Sequence, residues 1–99
     1  MVIKSSVEDG SMIIAPVGSI DTISAPDFQT EVIKGLQFHN KVIIDLSEAT
    51  YVSSVGLRAF LIGHKTATSK GAILLVRNVS PAVMNVLEMS GFIKFICLE

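Results

Sequence analysis

Hydrophobic and polar positions change their spacing several times along the chain, and each change marks an element. Val2 to Val7 and Met12 to Val17 read as two strands separated by Asp9-Gly10. Asp-Gly between apolar segments is a strong hairpin signal, because glycine tolerates the positive φ that such turns need. Pro16 cannot donate to a ladder, so it should face an unpaired side or sit at the strand's end. From Ser24 the period becomes helical, and Phe28, Val32, Ile33 and Leu36 fall on one face. Ser24 is the expected cap, Pro26 lies in the first turn, and Asp27 completes a capping-box-like pattern. Lys41 to Leu46 is too continuously apolar for a half-exposed strand and reads as a buried central one. Ser53 or Ser54 opens a second helix with Leu57, Phe60 and Leu61 inward, ending before Gly71. Ala72 to Val76 is a further buried strand. Ser80-Pro81 starts a third helix with Val83, Val86 and Leu87 inward and Gly91 at its end, and Ile93 to Leu98 is expected as the last strand.

The resulting order, ββαβαβαβ, predicts an α/β fold. Strand–helix–strand units pair in parallel with right-handed crossovers, and the opening hairpin makes the sheet mixed. The 99 residues suffice for one core, so a single domain over residues 1–99 is expected, with no linker or internal repeat.

Composition narrows the class. Hydrophobic residues make up 49% of the chain, yet no apolar run reaches the roughly 18 residues of a membrane span. The start, MVIKSSVEDG, lacks the apolar centre of a signal peptide, so a cytoplasmic protein without membrane contact is expected. Net charge is −1 with charges scattered. The absence of a basic stripe argues against a nucleic-acid partner. Cys97 is the single cysteine and His39 and His64 lie apart, so no metal site and no cofactor are expected. Asn78-Val79-Ser80 matches a glycosylation triplet, which has no consequence inside a cell.

The chemistry concentrates between Asp45 and Leu61, DLSEATYVSSVGLRAFL. The segment ends a strand, crosses a short polar loop and opens a helix at two serines. Unpaired N–H groups and the helix dipole make that end receptive to an oxygen or a phosphate. One reading makes a serine the helix cap, worth about 1 kcal/mol over alanine. The other makes one hydroxyl a phosphorylation site, where a phosphate adds nearly two negative charges and three acceptors. Arg58, four residues after Ser54, could pair with a phosphate there, or simply be solvated. A serine hydrolase would need G-x-S-x-G, and Val52-Ser53-Ser54-Val55-Gly56 offers only the second glycine, with His64 further along the helix. The glycines form neither a dinucleotide fingerprint nor a phosphate-binding loop. Asp21, between a strand and the first helix, reads as a turn residue bonding its own backbone. Asp45 is placed to fasten the loop that carries Ser53 and Ser54. Met84 and Met89 read as core or rim filler.

At these residues the chain resembles STAS domains of the anti-sigma factor antagonist type, the anti-anti-sigma factors of bacterial partner switching in transcription regulation. That family carries a strand ending in Asp-Leu, a short loop, an aromatic, an aliphatic, then Asp-Ser-Ser/Ala-Gly-Leu. Here the same places hold Asp45-Leu46, Tyr51-Val52 and Ser53-Ser54-Val55-Gly56-Leu57. GSIDTISAPDF resembles the family's Gly-x-Leu-Asp segment, and NVSPAVMNVLEMSGFIKFI its segment from the third helix to the last strand. The resemblance implies a binding module rather than an enzyme. Such a module binds an anti-sigma factor that is also a serine kinase, and so releases a sigma factor. The kinase phosphorylates the module and dissociates, and a serine phosphatase reverses the step. The implied phosphoacceptor is Ser54. The implied partner surface is Asp21 with Ser53, Ser54, Val55, Gly56 and Arg58.

Two departures stand out. Ser53 replaces the family's aspartate, which removes a negative charge and makes Ser53 a competing acceptor. The chain also stops at Glu99, where many members continue into a further helix, so exposed apolar surface and a homodimer or partner contact are expected. The Ser53 departure motivates an alternative, an unphosphorylated STAS subunit scaffolding a transporter or sensor complex. A small-molecule or nucleotide sensor is the third reading.

Overall fold

A computed structural model describes residues 1–99. Five strands and three helices follow in the order β1 (Val2–Glu8), β2 (Ser11–Ile20), α1 (Ala25–Phe38), β3 (Lys41–Asp45), β4 (Ala49–Val52), α2 (Ser54–Lys70), β5 (Ile73–Arg77) and α3 (Pro81–Ser90). The hairpin β1–β2 is antiparallel, with Glu8 opposite Ser11. Its two turn residues, Asp9 and Gly10, have φ of 50° and 80°, the geometry that Asp-Gly allows. The sheet runs β1-β2-β3-β5, and β4 continues alongside the far end of β2. Pairings of β2 with β3, β3 with β5, and β2 with β4 are all parallel, so the expected mixed α/β sheet is present. Pro16 lies after Ile14, the last partner of β3, and before Gly18, the first partner of β4. Its missing N–H therefore falls in the gap between two ladders.

Helices α1 and α2 cover one face of the sheet. Phe28 and Phe60 stack at 5.1 Å between ring centres, and both are fully buried with Val32, Leu36, Ile14, Val42 and Ile44. A Cβ on Gly63 would meet Val32 Cγ1 at 3.0 Å and Leu74 Cδ2 at 3.1 Å, so α2 lies close on α1 and β5 because that position has no side chain. On the opposite face Ile13 and Ile43 are also buried. Arg77 crosses near them, donating to Asp45 Oδ2 at 3.1 Å and Glu8 Oε2 at 2.9 Å. Three strands that are not all neighbours are tied together at one point.

Three expectations change. The loop before Ser53 holds the short strand β4, whose four residues pair with β2. The last strand is instead a 3-10 turn over Phe92–Phe95, followed by one bridge of Leu98 to Val76. Phe92, Ile93, Phe95 and Ile96 repeat every three residues, which suits a tight helical turn rather than a strand. Ser24 does not cap α1 through its side chain. Its hydroxyl turns back into the preceding loop, and Asp27 sits 3.7 Å from the chain's amino group.

Candidate functional site

Parallel pairing of β2 and β4 brings two loops to the same carboxyl end of the sheet. Ile20 is opposite Val52, and Ser53 N donates to Ile20 O at 2.9 Å. The segment Asp21–Ser24 therefore lies beside Ser53 and Ser54. This junction is tight: a Cβ on Gly56 would fall 2.6 Å from Ile20 O and 2.9 Å from both Ile20 Cγ2 and Val52 Cγ1. Gly56 is what lets the first turn of α2 sit on the strand ends.

The two serines divide the work. Ser53 is extended (φ −83°, ψ 176°) and caps α2, its Oγ accepting from Gly56 N at 3.2 Å. Its carbonyl accepts from Leu57 N at 2.9 Å. Ser54 is the first residue of α2, is exposed, and makes no side-chain hydrogen bond. Its hydroxyl stands free where the helix N-terminus is positive. No acidic residue lies in the first turn of α2. Arg58, one turn on, is exposed and belongs to none of the chain's ion pairs.

Across the junction Asp21 forms the turn its sequence position predicts. Its Oδ1 accepts from Ser24 N and Ile23 N, each at 3.0 Å, and lies 3.1 Å from Ser24 Oγ. Ser24 Oγ accepts from Asp21 N at 2.9 Å and donates to Ser19 O at 2.6 Å. The Ser24 N–H, joined by that of Ile23 and the Ser24 hydroxyl, holds the Asp21 carboxyl below the usual carboxylate range. Asp45 acts one loop away from the place expected for it. Partial burial pushes its carboxyl up, but Ser47 N–H, the Asn78 amide and Arg77 outweigh burial and hold it low. It anchors the start of the β3–β4 loop and the end of β5 rather than Ser53 and Ser54 directly.

Three exposed apolar residues lie on the segments that meet at this junction; Tyr51 and Val55 belong to the motif, and Ile23 is the one that neither spacing nor motif singled out. Ile23 is 89% exposed, Tyr51 53% and Val55 39%. Ile23 had a readable signal, a lone aliphatic between the turn residues of DTISAP. His64 is not near this site. Ten residues along α2 place it about 15 Å from Ser54, and its ring lies 6.5 Å from that of Phe95. Nowhere do three or more His, Cys, Asp or Glu side chains gather as a metal site would require.

The model of the STAS domain family matches residues 2–99. The chain belongs to the STAS domain family. BtrV of Bordetella bronchiseptica, named a candidate anti-sigma factor antagonist, is 29% identical over 87 residues, covering 87% of this chain and 75% of that protein. Among solved structures, a candidate anti-sigma factor antagonist of Thermotoga maritima superposes with a TM-score of 0.87 at 18% identity, covering 97% of this chain and 84% of the other. The anti-sigma factor antagonist SpoIIAA superposes in its unphosphorylated form (TM-score 0.79, 15% identity, 99% and 88% covered) and, from Bacillus, in its phosphorylated form (0.74, 14%, 99% and 91%). No helix of this STAS domain is long and apolar enough to cross a membrane.

Proposed function

We propose that this STAS domain is an anti-sigma factor antagonist, a cytoplasmic binding module that docks on an anti-sigma factor with serine kinase activity and is switched off by phosphorylation of Ser54. The observation that carries the reading is the division between the serines: Ser53 is engaged as the helix cap, while Ser54 stands exposed and unbonded one residue later. The naming of BtrV and the Thermotoga protein as antagonists supports the partner class. A relative of the same fold described in both phosphorylated and unphosphorylated forms supports the switch.

The free form offers a small neutral hydroxyl on a junction that also exposes Ile23, Tyr51 and Val55, a surface that can be desolvated cheaply. A phosphate adds nearly two charges. The helix N-terminus and Arg58 stabilise it locally, with Arg58 as a charge-assisted partner. Docking would then have to strip water from the phosphate, at a coupling cost of about 1–3 kcal/mol, enough to exchange partners. No change of fold is needed. A serine phosphatase would restore the binding form.

The test is isolation of the protein from its native cells, with mass spectrometry of the wild type beside Ser53→Ala and Ser54→Ala. Phosphate retained in Ser53→Ala and lost in Ser54→Ala, together with co-purification of a serine kinase by unphosphorylated protein, is the expected result. Phosphate on Ser53 would move the acceptor. An unmodified protein held constitutively in a larger assembly would favour the scaffolding reading that the serine at position 53 suggests.

A further inference from the structure

The strand β1 is an edge, and nothing in the chain covers its outer side. It pairs only with β2, and six of its seven residues are exposed. Natural sheets guard such an edge with proline, bulges, very short strands or charged side chains. Between Val2 and Glu8 only the last are present, as Lys4 and Glu8 of opposite sign, and the pairing with β2 runs without a register shift. The hairpin geometry says which groups are free. A two-residue turn makes its flanking residues, Glu8 and Ser11, a hydrogen-bonded pair, and bonded pairs then recur at every second position. Lys4, Ser6 and Glu8 therefore bond to β2, while the N–H and C=O of Ile3, Ser5 and Val7 point outward.

The side chains say what fits. Ile3, Ser5 and Val7 share the face covered by α1, because their partners on β2 include Ile14 and Met12, which pack under Gly35 of α1. Beside Ser5 a groove of about 180 Å³ opens, its lining mixed: Met12, Gly35 and Phe38 with Glu31, Lys34 and His39. Phe38 is 76% exposed and Val7 60%. Lys4 and Glu8 carry opposite charges on the other face, two bonded positions apart; within the chain they hold exposed ion pairs with Glu48 and Arg77, each at 2.9 Å, which the second copy would share.

We propose that β1 pairs antiparallel with β1 of a second copy of this chain, about a two-fold axis at Ser6. That register sets Ser5 opposite Val7 of the other copy, so the outward-facing groups make about four backbone hydrogen bonds. It places the second Val7 at the mouth of the groove beside Met12 and Phe38. It also sets Lys4 directly opposite Glu8 of the other copy, twice, in the non-bonded pairs where side chains approach most closely. A strand of unrelated sequence would satisfy the backbone, but the charge pattern reads itself. The strip is narrow beside the roughly 800 Å² per partner of a standard interface, so the dimer is weak and concentration-dependent. This inference does not rest on the phosphorylation reading.

The experiment is sedimentation velocity over a concentration series, with amide hydrogen exchange on the same samples. The wild type is expected to shift from monomer to dimer, with the Ser5 and Val7 amides gaining protection in the dimer. Ser5→Pro removes an outward donor without touching the β1–β2 ladder and should stay monomeric, its fold checked by circular dichroism. Lys4→Glu and Glu8→Lys should each be monomeric alone and form a dimer when mixed, because the mixture restores opposite charges. A wild type that stays monomeric throughout overturns the proposal and leaves the edge to a strand from another protein. So does a dimer that survives Ser5→Pro, or a mixture that fails to restore pairing.

Discussion

Helices α1 and α2 start at the same end of the sheet, each behind a serine, and the two starts are built differently. At α1 the serine hydroxyl is buried and fully engaged: Ser24 is 8% exposed and bridges Ser19 O, Asp21 N and the Asp21 carboxylate. The helix above it begins without a side-chain cap. At α2 the cap and the free hydroxyl are separate residues. Ser53 satisfies the backbone and Ser54 is left to solvent. A fixed turn lies on one side and an unbonded hydroxyl on the other. Under the proposed switch, the hydroxyl gains or loses a charge without refolding, and the rigid Asp21–Ser24 turn holds the rest of the surface constant for the partner.

The largest effect should come from breaking the junction between the two starts. Gly56→Val places a side chain where even a Cβ would be 2.6 Å from a backbone carbonyl. Strain of this kind costs about 1–3 kcal/mol and occasionally more, so the urea midpoint should fall sharply and the first turn of α2 should lose amide protection. Gly63→Ala is the contrast. Its neighbours at 3.0 and 3.1 Å are methyl groups of Val32 and Leu74 rather than backbone; the crowding is partly offset by alanine's better helix propensity, and a loss of about 1 kcal/mol or less is expected. Equal losses at the two glycines would mean that the α2 start is no tighter than the helix middle.

Acid should erode the Asp21 turn before α1, and with it the Asp45 anchor at the end of β3, and spare the α2 cap. The folded chain favours the ionised forms of Asp21 and Asp45. Their contribution is complete above the ordinary carboxylate range and is lost as pH falls through their lowered folded-state values. Asp21→Asn and Asp45→Asn should therefore each be less stable than the wild type at neutral pH, and the gap should close in acid. Ser53→Ala carries no such titration, and its deficit should be the same across that window. Denaturation midpoints measured against pH separate the two behaviours.

Where residues act through periodicity or turn chemistry, the sequence was enough. The Asp9-Gly10 hairpin, the buried KVIID strand, Gly71 and Gly91 as left-handed helix ends, and a serine cap at position 53 or 54 all follow from local rules, the structure choosing Ser53. Local rules failed where a distant partner decided. Ala49–Val52 is a strand only because β2 is long enough to offer its far end. Ser24 has the sequence of a cap, but Asp21 and Ser19 three and five residues earlier compete for its hydroxyl. The apolar C-terminal run reads as a strand until its three-residue period is noticed. The motif at Ser53–Leu57 points to the candidate site, whereas the exposed Ile23 on the neighbouring loop depended on β2 and β4 ending together.

The smallest expected effect is the most telling for function. Ser53→Ala removes the acceptor for Gly56 N and should cost about 1 kcal/mol. Ser54→Ala removes a hydroxyl with no partner in the chain and should change stability by no more than about 0.5 kcal/mol, the range of a neutral surface substitution. Under the proposed switch the functional ranking is reversed: Ser54→Ala abolishes modification by the partner kinase, and Ser53→Ala leaves it in place. Thermal unfolding and phosphate incorporation on the same two proteins measure both rankings together. A substantial stability loss in Ser54→Ala would mean that its hydroxyl is structural. The contrast between an engaged serine and a free one would then no longer support Ser54 as the acceptor.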